Sequence, residues 1–158
     1  MTGPMDTGWD PAEKYERGVA LRKAGLFAQA IEEFEQATVS RIYALKAYAQ
    51  IGLCHKSTGG HVDAVTAFRK ALSAGGSAKE TVQVLYVLGR TLEMLGRTEE
   101  TLEAYRWIRR EDPEYRDVAQ RIRQLSSKRV SAHGVPPARP SWVGGVLRSW
   151  QGLLRSSK

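Results

Sequence analysis

The set Gly25-Leu26-Phe27, Ala30-Ile31, Phe34 and Ala37 returns 34 residues later as Gly59-Gly60-His61, Ala64-Val65, Phe68 and Ala71-Leu72. Gly18 and Gly52 keep the same interval, and a third copy, Gly89, Leu92, Gly96, Leu102, Tyr105 and Ile108, follows at an offset of 37. The Gly75-Gly76-Ser77 turn absorbs the three extra residues. A period of this length means one supersecondary unit repeated, each copy burying its apolar face against the next. Within a unit the pattern assigns each residue a job. Gly18, Gly52 and Gly89 let two helices approach closely, Ala30, Ala37, Ala64 and Ala71 are small for the same reason, and Phe34, Phe68 and Tyr105 fill the remaining volume.

Helix boundaries are also written in the chain. Asp10-Pro11-Ala12-Glu13 and Ser77-Ala78-Lys79-Glu80 have capping-box spacing, Asp112-Pro113 places a cap before a proline at the first helical position, and Gly25, Gly59 and Gly96 end helices. The predicted helices are 11–24, 27–39, 43–57, 61–73, 78–95, 98–110 and 113–125.

The glycine, alanine and aromatic positions together resemble the tetratricopeptide repeat. The implied fold is all-α, an α-solenoid of antiparallel helix pairs. The resemblance divides the chain into an N-terminal arm at 1–10, repeats at 11–44, 45–78 and 82–113, and a capping helix at 113–125. Departures from the family pattern are Lys14 where an aromatic is usual (Tyr48 and Leu85 suit the same place), His55 at an apolar position, and Thr101 instead of a third small alanine.

In this family the first helix of each repeat lines a groove. The resemblance implies groove residues Tyr15, Val19 and Arg22 in the first repeat, Lys46, Ala49, Leu53 and Lys56 in the second, and Gln83, Tyr86, Arg90 and Glu93 in the third. One subclass grips a C-terminal carboxylate with a lysine and asparagines; here Tyr15, Val19 and Gln50 stand at those places. The expected ligand is an amphipathic helix or extended peptide with acidic residues, its apolar anchors giving affinity and its charges register. The same groove residues, Val19 and Leu53 among them, would equally serve to pack one repeat on another.

The net charge of +7 changes meaning once it is located. Residues 1–125 carry 18 Lys and Arg against all 17 acids, whereas Lys128, Arg129, Arg139, Arg148, Arg155 and Lys158 stand in the last 33 residues with no acid. Asp6 interrupts the place of a leader's apolar run, and no eighteen consecutive apolar residues occur. With a lone cysteine, Cys54, the expectation is a cytoplasmic protein.

Residues 126–141, with Ser126-Ser127-Lys128-Arg129 and Gly134-Val135-Pro136-Pro137-Ala138-Arg139-Pro140, read as a flexible linker. An amphipathic helix is predicted at 142–155. Laid out at about 100° per residue, Trp142, Val143, Val146, Leu147, Trp150, Leu153 and Leu154 share an arc of roughly 140°, with Arg148, Arg155 and Gln151 outside it. Thirteen helical residues reach only about 20 Å, too short to cross a bilayer. Burying seven apolar side chains gives a gross gain on the order of 10–20 kcal/mol, and ordering the segment costs a comparable amount, so attachment is weak and reversible. The segment suits an anionic membrane surface. Other readings are a groove on a second protein, this chain's own groove, or a permanent eighth helix on the array. Nucleic-acid binding is disfavoured because the tail cations are sparse and its tryptophans do not interleave with them.

Nothing in the sequence forms a catalytic constellation, and no cofactor motif occurs. Cys54, His55 and His61 offer three ligands and no fourth, and Glu32, Glu33 and Glu35 fit a solvated helix face. The expected function is a non-enzymatic interaction scaffold or adaptor whose tail tethers it to a membrane or a second partner. The alternative is a scaffold regulated by its own tail.

Overall fold

The computed structural model describes residues 9–132. Its helices are α1 (Pro11–Lys23), α2 (Phe27–Ala37), α3 (Ala44–Ser57), α4 (His61–Ala74), α5 (Ala78–Met94), α6 (Thr98–Glu111) and α7 (Val118–Ala132). Neighbours in sequence pair as α1 with α2, α3 with α4 and α5 with α6; α2 also packs on α3 and α6 on α7. The chain forms two compact units, the first ending at Ala74 and the second starting at Gly75.

In the first unit, the Asp10 carboxylate accepts from the Ala12 backbone N–H at 3.1 Å, and Pro11 opens the helix where a missing N–H costs nothing. α1 ends because Gly25 takes φ +78, turning the chain so that the Leu26 N–H reaches back to the Leu21 carbonyl at 3.0 Å. The close approach inferred from the repeated glycines is real. A Cβ on Gly18 would lie 2.7 Å from the Phe34 ring, and one on Gly52 would lie 2.5 Å from Phe68. Ala30, Phe34, Ala37, Ala47, Ile51, Cys54 and Ala67 close into the core of this unit. Lys14 is accommodated by an ion pair with Glu33 at 3.3 Å.

In the second unit the Ser77 and Glu80 capping box forms reciprocally. A Cβ on Gly89 would stand 2.5 Å from Tyr105. Tyr105 differs from its phenylalanine counterparts by one hydroxyl in a fully buried position, and that hydroxyl donates to Glu93 at 3.0 Å. Burial first, and then the Glu93 carboxylate, push the phenol far above its ordinary value. Thr101 fits the alanine site because its hydroxyl is satisfied within the helix, donating to the Arg97 carbonyl at 2.9 Å.

The seventh helix differs from expectation at both ends. Asp112 is extended ahead of Pro113, as the residue before proline prefers, and its carboxylate accepts from Glu114 N–H at 3.2 Å. The cap-and-proline pair therefore opens a turn, which passes through Arg116 at φ 47, and the helix begins at Val118. At its other end α7 continues through residues 126–132, which composition alone assigns to the linker. Val118, Ile122 and Leu125 form its buried stripe, and Arg129 extends that stripe by pairing with Glu99 of α6 at 3.1 Å.

Candidate partner-binding faces

In the first unit, at about 100° per residue, Tyr15, Val19 and Arg22 fall within roughly 60° of α1, and Lys46, Ala49, Leu53 and Lys56 within roughly 80° of α3. Tyr15 joins the two helices: its ring lies 5.6 Å from Phe34 and 5.5 Å from Tyr43, and its hydroxyl accepts from Gln50 Nε2 at 3.4 Å. Val19 packs beside it on the core. Ala49, Leu53 and Lys56 are half-buried, Lys46 is exposed, and α3 contains no acidic residue. The face is aliphatic and aromatic in its middle, with cationic margins.

Arg22 also acts inward. Burial pushes the Cys54 thiol up, while the nearby Arg22 charge draws it partly back. Cys54 is fully buried, so alkylation requires opening of the fold. Iodoacetamide at mild alkaline pH is expected to label the native protein at least about 100-fold more slowly than the urea-unfolded chain. Mass spectrometry of timed samples checks this, and comparable rates would contradict the burial.

In the second unit, Gln83, Tyr86, Arg90 and Glu93 share a face of α5 spanning roughly 80°. Gln83 is exposed. Tyr86 and Glu93, which the resemblance offers to a partner, are engaged by this chain's own turn ahead of α7 and by α7 itself. The buried Tyr86 donates to Asp117 Oδ1 at 2.9 Å, with its ring 5.7 Å from Tyr115 and 6.4 Å from Tyr105. Arg121 Nη1 donates to Glu93 at 3.0–3.1 Å, and Arg121 Nε donates to Asp117 at 2.7 Å. Burial works upward on Asp117, but the Tyr86 hydrogen bond and the Arg121 charge hold its carboxyl below the ordinary value. Burial likewise works downward on Arg121, and the Glu93 and Asp117 carboxylates outweigh it to raise the guanidinium.

Sequence reasoning missed Asp117, Arg121, Arg116 and Tyr115. The spacing of Asp117 and Arg121, one helical turn apart, was a visible signal for their ion pair. The left-handed turn at Arg116 left none. Trp142, Val143, Val146, Leu147, Arg148, Trp150, Leu153, Leu154 and Arg155, with most of the predicted linker, lie outside the described residues. Among the described residues no group of three His, Cys, Asp or Glu is placed to hold a metal, and no helix is long and apolar enough to cross a membrane.

No family model matches the sequence, nor does any curated protein. Solved structures do match. The first TPR of Spaghetti (RPAP3) bound to the HSP90 peptide SRMEEVD has a TM-score of 0.65 at 14% identity, covering 81% of this chain and 99% of that one. MamA gives 0.67 at 18% identity over 78% of this chain and 70% of its own. The Yersinia enterocolitica type III secretion chaperone SycD, in complex with a peptide of the translocator YopD, gives 0.63 at 12% identity over 75% and 93%. With the observed helix pairing, these likenesses establish the fold: an all-α tetratricopeptide-repeat solenoid of three helix pairs followed by a capping helix.

Proposed function

We propose that the chain is a cytoplasmic, non-enzymatic interaction scaffold that holds a partner peptide or helix on the α1 and α3 face of its first unit. The observation that carries this is the half-buried Val19, Ala49 and Leu53 surface with Arg22, Lys46 and Lys56 around it and no acid from α3. Peptides bound to structural neighbours support the class of ligand. With Tyr15, Val19 and Gln50 in place of a lysine-and-asparagine set, the partner is held through internal apolar anchors and acidic side chains instead of a chain terminus. The basic amphipathic tail tethers the scaffold to an anionic membrane surface.

Selection from a surface-displayed library of random dodecapeptides tests the scaffold. The intact protein is expected to enrich peptides with spaced apolar anchors, and Leu53→Glu to weaken them at least about tenfold by placing a charge among those anchors. No enrichment, or affinity indifferent to Leu53→Glu, would refute the assignment. Flotation on phosphatidylserine vesicles, comparing the intact chain with residues 1–132, tests the tether. Equal flotation of the two removes it. Tighter peptide binding by 1–132 would instead make the tail an occupant of the chain's own groove.

A further inference from the structure

Arg90 and Arg116 meet on one phenol. The Arg116 guanidinium stands 4.7 Å from the Tyr86 ring centroid and 5.4 Å from that of Tyr115, and Arg90 Nη1 lies 3.5 Å from the Tyr86 hydroxyl. The neighbouring acids are committed. Asp117 accepts from Tyr86 and Arg121, while Glu93 accepts from Tyr105 and Arg121 and reaches Arg90 Nε only at 4.0 Å. Three guanidinium groups against two carboxylates leave one positive charge over, and it falls at Arg116, which is exposed and pairs with no carboxylate among the described residues. Arg116 holds φ 47, a conformation that crowds any side chain beyond Cα, and its contact with two aromatic rings offsets that crowding. A guanidinium held in place against two rings is prepared for an anion, because little ordering remains to be done on binding.

We infer that Arg116, seated on Tyr86 and Tyr115 and assisted by Arg90, recognises an aspartate or glutamate carboxylate of a peptide ligand at the second unit. This rests on the scaffold reading and adds a second recognition point, in the second unit, with its own chemistry. A carboxylate suits the fork of donors that arginine presents, and the open setting admits a side chain from a bound segment.

The experiment uses peptides enriched by the intact protein from the dodecapeptide library. The selected set is expected to include peptides with Asp or Glu at a recurring position. One such peptide and its Glu→Gln analogue are then measured by fluorescence anisotropy against wild type, Arg116→Gln and Arg116→Gly. Glycine accepts the φ of this position, so Arg116→Gly keeps the turn while removing the guanidinium. On wild type the analogue is expected to bind about tenfold more weakly, and on both variants the two peptides differ by less than about twofold. Undiminished discrimination in the variants, or none in wild type, overturns the inference. Apolar-anchored binders without an acidic position overturn it alone. A library yielding no binder overturns it together with the scaffold.

Discussion

Phe68→Ala is expected to cost about 3–5 kcal/mol of stability, read as a fall in the urea midpoint at unchanged slope, and to be among the most damaging single changes in the first unit. The ring is 1% exposed and fills the space that Gly52 leaves open between α3 and α4. Truncation opens a cavity that the surrounding alanines cannot close without pulling the helices together. The complementary change has the opposite origin. Gly52→Ala places a methyl 2.5 Å from the same ring, and with no room for the ring to retreat it is expected to cost about 1–3 kcal/mol despite the better helix propensity of alanine. Combining Gly52→Ala with Phe68→Leu exposes the coupling. In the leucine background the added methyl has space, so Gly52→Ala becomes neutral or stabilising by up to about 1 kcal/mol. A double-mutant cycle in which the two costs simply add would show that glycine and ring do not share one volume.

Arg121→Met is the second large effect, expected at about 1–3 kcal/mol. Among the described residues, Arg121 is the single cation bridging Glu93 on α5 and Asp117, just ahead of α7, at 3.0 Å and 2.7 Å. Methionine keeps the apolar stem, so the loss reports the charge and its hydrogen bonds more than packing. The variant leaves Asp117 without its guanidinium partner and Glu93 with only Arg90, at 4.0 Å. Its dependence on pH distinguishes this from a general loosening. Asp117 is held below the ordinary carboxylate value, so its contribution is complete above about pH 4 and is lost as pH falls below that. In Arg121→Met this part of the acid limb flattens, because less stability remains to be titrated. A variant whose stability falls equally at every pH would assign Arg121 a packing role only. Loosening of α7 would also be visible as faster hydrogen exchange along Val118–Ala132.

In the proposed tether, attraction to anionic vesicles would come from Trp142, Trp150 and their aliphatic neighbours, with Arg148 and Arg155 beside them. Raising the salt concentration is expected to weaken the arginine contribution and leave the apolar one.

Much of the fold was legible because its restraints are local or repeat at a fixed interval. Among the described residues, six of the seven helices lie where caps, glycines and apolar spacing predict, and the pairing of Gly18 with Phe34, Gly52 with Phe68 and Gly89 with Tyr105 follows from a period of 34 with one longer turn. The fold class, the three helix pairs and the small-against-large packing inside each were therefore determined by the sequence itself. What the tertiary structure decided is the fate of polar residues that have more than one available partner. Nothing local in the sequence states that Asp117 would capture Tyr86 or that Arg129 would bond Glu99 and carry α7 through a stretch of serines and cations. Nor does it state that Arg116 would adopt a left-handed turn over two tyrosines. A hydrophobic stripe has one solution, burial, whereas a charged side chain is satisfied by water or by any group of opposite charge within reach, and only the packed helices determine which is near.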